Sequence, residues 1–443
     1  MHIRVKQSAL AALFLCAAIA GMHPVSADDS RAALTLEKRA VGAFNAIELA
    51  GPFRVIVSEG APRLELSGEP KQLAEIETEV RNGTLVVRQR SRNSFGIHWG
   101  RRDHAEVVVR IGATGLKSLS NSGSGDVELE SVGGERFVLN SGGPGDIRAR
   151  GGVRELNVTS SGSGDVDLRQ VKASNVAVVL SGPGDVRLGA VGNELSARMS
   201  GSGDLEATDL HLTRAVAQIS GPGNATLRGS ARELRAELTG SGELDACAMQ
   251  VEKVSSVQRG PGNACVAGNI RQFEAEVNGS GDLEARGLQT GRAVLRMNGP
   301  GNATITGTAD ELRADLNGSG ELDATKLTVK SALIDSGGPG DVKLARITDT
   351  LDAALHGSGD LTATMEGKRV MLKMRGPGNV QLDGRAERIT AELTGSGTLQ
   401  ARRLSVRQTD INVRGPGSAT VNQVRDGGGE LVQVERGGRR QTN

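Results

Sequence analysis

The sequence predicts an all-β fold: a parallel β-helix, or β-solenoid, of about sixteen coils, each nineteen or twenty residues long, with a β-rich N-terminal cap. Three observations predict it. A G-x-G tripeptide followed by an acid or amide recurs along most of the chain. Aliphatic and polar residues alternate on either side of it. One row of outward charges is electrostatically sensible for only one way of stacking the copies.

Taking the residue after each G-x-G as position zero, the series begins Asp126, Asp146, Asp165, Asp185, Asp204, Asn224, Glu243 and Asn263. It continues Asp282, Asn302, Glu321, Asp341, Asp360, Asn379, Thr398 and Ser418. Adjacent members of these sixteen copies are nineteen or twenty positions apart. Ser and Pro alternate in the middle of the tripeptide, so the higher unit is a pair of copies, thirty-nine positions long almost throughout. Such periodicity over residues 112–425 is the signature of a solenoid, whose units contact only their neighbours.

Positions +1 and +3 are aliphatic in every copy, while zero and +2 are polar almost without exception. That is a strand with one buried face. A second alternating run precedes each glycine corner, as in Leu234-Arg235-Ala236-Glu237-Leu238. The inward pair also compensates: Leu205/Ala207 is followed by Ala225/Leu227, then Leu244/Ala246 and Ala264/Val266. Large stacked on small keeps core volume constant and makes the pair of copies the true repeat.

The +2 row reads Glu128, Arg148, Asp167, Arg187, Glu206, Thr226, Asp245, Cys265, Glu284, Thr304, Asp323, Lys343. One coil per copy sets every acid between non-acidic neighbours. A coil of two copies would stack acid on acid, a repulsion of about 1 kcal/mol per pair even in water. The shorter coil wins, giving a rod about 75 Å long at the strand spacing of ~4.8 Å.

Residues 28–111 carry strand patterns without the period: AIELAG, FRVIVSE, RLELSG, IETEV and TLVVRQ, with Asn82-Gly83 as a hairpin turn. They are expected to cap the open end of the solenoid, where strand edges would otherwise be unpaired.

Composition agrees. With 62 Gly, no Tyr, one Trp and six Phe in 443 residues, the core must be thin and aliphatic. The start, MHIRVKQ then SALAALFLCAAIAG then Val25-Ser26-Ala27, reads as a signal peptide over residues 1–27. The protein is therefore expected to be exported, to the periplasm, the cell surface or the medium. Leu15 stands before Cys16 where a lipoprotein signal needs a small residue, so ordinary cleavage is expected.

Cleavage removes Arg4 and Lys6 from the 53 basic residues, leaving 51 against 52 acidic. That balance gives no reason to bind nucleic acid or an anionic membrane. No later segment is apolar enough to span a bilayer. The basic, Gly-rich tail at 426–443 is expected to be disordered. Cys247 and Cys265 lie on one side in adjacent coils but two positions out of line. Direct stacking puts their Cα atoms about 8 Å apart, outside the usual disulfide range. A small coil offset would close that gap, so a disulfide and two outward thiols both remain open.

Gly-Ser-Gly-Asp does not read as catalytic. G-x-S-x-G never occurs, and none of the copies completes G-x-G-x-x-G. Pro replaces Ser in half of them, which no nucleophile survives, so the corner is expected to be structural. The ladder from Asp126 to Asn379 is then a column of turn-capping side chains. Calcium is the alternative for the unbroken run Asp126, Asp146, Asp165, Asp185 and Asp204. Arg148 and Arg187 flank that run and supply neutralising charge without metal. No other cofactor is expected. The cluster Phe95-Gly96-Ile97-His98-Trp99, followed by Arg101, Arg102, Asp103 and His104, is either a hairpin tip packed on the cap or a ligand loop.

AFNAIELAGPFRVIVSEG, VRNGTLVV and the serial SGSGDV, SGPGDV and TGSGEL motifs together resemble the head GIN domain family. The family is described as auto-transporter adhesins without an assigned biochemical activity. The resemblance spans nearly the whole mature chain. It implies an exported β-helix related in shape to pectin lyases but without their catalytic residues. No translocating β-barrel pattern occurs at the C-terminus, so another export route or periplasmic residence is expected. The resulting expectation is a non-enzymatic exported solenoid presenting a polar surface for adhesion or envelope contact. Its ligand would be an envelope or extracellular protein or glycan. The alternatives are a calcium-stabilised envelope scaffold and a carbohydrate-active β-helix enzyme.

Overall fold

The computed structural model of the chain describes residues 34–90, 106–425 and 428–441. The expected leader at 1–27 and the residues His98, Trp99, Arg101, Asp103 and His104 lie outside the described residues. Strand accounts for 70% and helix for 1%, so the fold is all-β. It is a parallel solenoid of about 15 turns, the number of full turns that sixteen corners bound.

The stacking register is one coil per copy. Asp167 pairs with Arg148 on one side and Arg187 on the other, and Arg187 in turn pairs with Glu206. Inside, Leu205 lies on Ala225 and Ala207 on Leu227, all four at most 2% exposed. Large thus lies on small in the core, which keeps its volume constant from coil to coil.

The alternation of longer and shorter copies has a local cause. Past the +3 position the ladder slips: Ala207 pairs with Leu227, but Leu210 pairs with Gly229. Three residues of the Gly-Ser-Gly coil therefore face two of the Gly-Pro-Gly coil, a bulge. Asp209 takes up the extra residue at φ 56°, and Gly229 sits at φ 134°, where an added Cβ would lie 2.3 Å from the Leu210 carbonyl oxygen. A side chain fits there neither in backbone angle nor in space.

The N-terminal strands do more than cap. Ala46–Ala50 runs parallel to Ser118–Asn121, and Arg54–Glu59 lies parallel on the first solenoid coil with Val55 opposite Val127. They form an irregular first layer. Thr35–Arg39, Arg63–Gly68 and Val108–Ala113 then turn the sheet antiparallel and end it. The hairpin Ile76–Arg81/Thr84–Gln89 turns at Asn82 (φ 49°) and Gly83 (φ 75°). A single helical turn, Pro70–Leu73, was not legible among the strand patterns; Glu69 and Gln72 close its start as a capping box.

The expectation of a disordered tail is corrected. Gly428–Val434 pairs antiparallel with Ser418–Arg425, and Arg439–Gln441 with residues 410–412. Val432 and Val434 are buried against the last coil. An open parallel edge has unpaired N–H and C=O groups along its length, and this segment satisfies them despite its Gly content. Among the described residues no helix is long and apolar enough to cross a membrane.

Candidate functional site

Each Gly-x-Gly corner stacks on the one before it. Gly279 N–H donates to the Gln258 carbonyl, and Gly281 N–H donates to the Gly260 carbonyl. The middle residue, Ser280, donates no such bond and faces solvent, as do Pro261 and Pro300 in the neighbouring coils. A residue that lacks an N–H therefore serves as well as Ser, and the serine is not held for chemistry.

Position zero forms a side-chain ladder. The Oδ1 atom of Asp126 accepts the N–H of Asp146, Asp146 accepts that of Asp165, and so on through Asp185, Asp204 and Asn224 to Glu243, at 2.8–3.0 Å. The capped amide belongs to the next coil, not to the residue's own turn as the sequence implied. Asn263, Asp282 and Asn302 continue the ladder to Glu321, and Asp341, Asp360 and Asn379 continue it to Thr398. It lapses after Glu243 and Glu321, whose extra methylene takes the carboxylate past the amide; Glu321 meets Lys343 at 2.6 Å instead. Asn above Asp also donates its Nδ2 to the carboxylate below, as at Asn224, Asn302 and Asn379. The amides that interrupt the acids thus supply a bond as well as relief of repulsion. Asp282→Ala is expected to cost about 1 kcal/mol in a urea titration, the worth of a lost exposed bond. Asp282→Asn, which keeps the acceptor, should cost less, and equal losses would deny the ladder a stabilising role.

In the acidic run, the Oδ1 atom of each carboxylate accepts an amide N–H, and arginines approach the second oxygens of Asp146, Asp165 and Asp185. Arg187 reaches back to the zero row and bridges Asp165 and Asp185 at 3.0 Å each, while Arg148 lies 3.7 Å from Asp146. Burial works against the charge on Asp165, but the Asp185 N–H and the Arg187 guanidinium outweigh it and hold the carboxyl below its ordinary value. A depressed carboxyl contributes stability above the ordinary carboxylate range and loses it as pH falls through the lowered value. Arg187→Glu is expected to cost on the order of 1–2 kcal/mol at neutral pH and low salt, less in high salt. It should also flatten the acid limb of the stability–pH curve. A neutral outcome at low salt would contradict the bridging role.

Cys247 and Cys265 are joined as a disulfide, with Cα atoms 5.2 Å apart rather than the ~8 Å of straight stacking. The ladder between their coils ends at Ala246 opposite Val266. There the strand bulges, Thr226 pairing with Asp245 but Arg228 with Ala248; Cys247 N–H donates to Asp245 Oδ1 at 3.0 Å, and the bulge brings Cys247 against Cys265. Among the described residues, Asp245 and these two cysteines are the grouping whose metal-ligating atoms come within 4.8 Å of one another. Sulfurs joined to each other are not free for a metal.

One arrangement escaped sequence reasoning because it joins two coils. His211 lies 3.5 Å from Asp209 and 3.5 Å from Ser230 Oγ. Both gaps are long, and the Asp209 and His211 side chains are 68% and 72% exposed, so nothing fixes the imidazole as a base needs. The described aromatics, Phe44, Phe53, Phe137 and Phe273, are all buried and offer no stacking platform to a sugar.

The family model described as "putative auto-transporter adhesin, head GIN domain" matches this chain four times, over residues 43–228, 190–269, 265–362 and 346–429. The chain belongs to the head GIN domain family. Successive overlapping matches mean that this head GIN domain is the repeat array itself, together with the layer that starts it. Solved structures with similarity include a putative adhesin from Bacteroides fragilis, 16% identical, covering 66% of this chain and 96% of its own, TM-score 0.26. A putative adhesin from Parabacteroides distasonis is 18% identical over 66% of this chain and 97% of its own, TM-score 0.33. A putative lipid binding protein from the same species is 14% identical over 83% of this chain and 96% of its own, TM-score 0.20. No curated protein matches the head GIN chain.

Proposed function

We propose that the protein is an exported, non-catalytic rod that binds an envelope or extracellular ligand through its polar sheet faces, as an adhesin does. The observation that carries this reading is the uniformity of the outside. Coil after coil presents ion-paired and hydrogen-bonded side chains over shallow open grooves, such as that between Glu155, Arg198 and Arg214. Membership of an adhesin family and the leader-like N-terminus support it further. An enzyme would need a distinct, pre-formed cleft with a few convergent polar groups. A repeated surface suits many weak contacts with an extended partner.

The test is a binding screen of the mature protein against glycans and envelope fractions, with and without calcium. Saturable binding to at least one component without turnover is expected; hydrolysis of a glycan would move the protein to the carbohydrate-active class. Calcium is expected to leave the melting temperature nearly unchanged, because the run from Asp126 to Asp204 is satisfied by amide N–H groups and Arg187. A large calcium-dependent rise, abolished by replacing Asp146, Asp165 and Asp185 with Asn, would make the protein a calcium-stabilised scaffold.

A further inference from the structure

The rod is electrically polar along its length. Residues 126–360 hold 23 Lys and Arg against 32 Asp and Glu, whereas residues 361–425 hold 11 against five. Near-neutral overall charge conceals an acidic body and a basic end. The excess cations gather at one corner of the last coils. Arg369 and Arg388 are in register one strand spacing apart, and Arg385 and Arg407 project into solvent beside them. Arg369, Arg385 and Arg407 form no ion pair among the described residues, in contrast to most arginines of the acidic body. Arg388 donates to Gln408 at 2.9 Å. The nearby acids are largely committed: Glu366 lies 3.8 Å from Arg346, and Asp349 3.6 Å from Lys368.

Between these cations runs a groove of about 380 Å³, lined by Gly367, Arg385, Glu387, Ser405, Arg407 and Val424. Gly367 on its wall packs close to the neighbouring coil, where a Cβ would lie 2.6 Å from the Asp349 carbonyl oxygen. Glu387 is the one carboxylate on its walls. Guanidinium groups favour planar carboxylates and sulfates, which they grip with two parallel bonds. Cations repeated at the coil spacing favour a ligand whose anions also repeat. Residues 361–425 contain no aromatic residue on which a nucleic-acid base would stack.

We infer that this basic corner is a docking site for an acidic polysaccharide, held in the groove between Arg385 and Arg407 with Arg369 and Arg388 beside it. The inference rests on the binding role proposed above and names the ligand class and the place. Polygalacturonate is the probe for carboxylate polymers and dextran sulfate for sulfated ones, with neutral dextran as blank. The mature protein should bind at least one of the two at low salt and release it as salt rises. Arg369→Ser/Arg385→Ser/Arg407→Ser should weaken binding at least about tenfold while circular dichroism is unchanged. Lys172→Ser/Arg232→Ser/Lys326→Ser, which removes three exposed cations from the acidic body, should bind like the parent protein.

Failure to bind either polymer, or equal losses in the two triple variants, would overturn the inference. So would capture by phosphatidylglycerol vesicles as tight as by polymer and lost in the same variant, since the site would then be a lipid contact. If the first variant still binds an envelope fraction, the binding role stands and this placement falls. If the parent protein binds no envelope component but does bind polygalacturonate, the broader role falls and the site remains.

Discussion

Gly281→Val is expected to destabilise the solenoid by about 3 kcal/mol or more, at or beyond the upper end of ordinary overpacking. A Cβ at this position would sit 2.0 Å from the Gly262 carbonyl oxygen, and at Gly279 it would sit 2.0 Å from that of Gly260. The obstacle is backbone of the adjacent coil, which cannot move without parting the corner bonds above and below it. Even Gly281→Ala meets the same atom and should cost more than an ordinary surface change. Ser280→Pro, one residue away, should change stability by less than about 0.5 kcal/mol. Urea unfolding of the three variants, followed by far-UV circular dichroism, reads the contrast. A mild Gly281→Val would mean that the coils do not approach so closely at the corner. Loss of a binding activity in Ser280→Pro without loss of stability would restore a chemical role to the serine.

Replacing both cysteines, as Cys247→Ser/Cys265→Ser, is expected to cost about 3 kcal/mol, the chain entropy of closing a loop whose ends are 18 residues apart. The loop is one coil, so the bond fastens two neighbouring turns in the middle of the rod. In a linear array each turn is held only by the turns beside it. Loss of the staple should therefore loosen the centre first, visible as faster amide exchange near Ala246 and Val266 than at either end. Denaturation midpoints of oxidised, reduced and double-Ser protein that coincide would show that the bond contributes nothing.

Coil length, register and the buried face were legible because a strand shows its inside on every second residue, and fifteen turns repeat the message. The +2 charges decided the stacking correctly, although Arg187 spends its guanidinium on Asp165 and Asp185 in the row alongside. What stayed hidden was contact between coils. The need for glycine at the corners comes from one such contact. Gly279 and Gly281 are absent from the residues at positive φ, and closeness to the next coil is what excludes a side chain. The reach of Asp126 to the amide of Asp146, the bulge that brings Cys247 against Cys265 and the approach of His211 to Ser230 likewise depend on how the chain turns. The C-terminal hairpin was hidden for another reason: its Gly-rich composition suits disorder, and only the unfinished edge of the last coil gives it a partner.

The stacking of large on small residues also governs how such a molecule changes size. Removing one turn, so that Leu205 met Leu244 and Ala207 met Ala246, would crowd one layer and hollow the next. Removing two restores the fit, and the closing segments at both ends never register the difference. From the Asp204 corner to the Glu321 corner, where large and small alternate strictly, length can therefore change only in double steps of about 10 Å, twice the strand spacing. The array behaves as a ruler graduated in pairs, and its span is open to adjustment by duplication or loss of whole units while both ends stay the same.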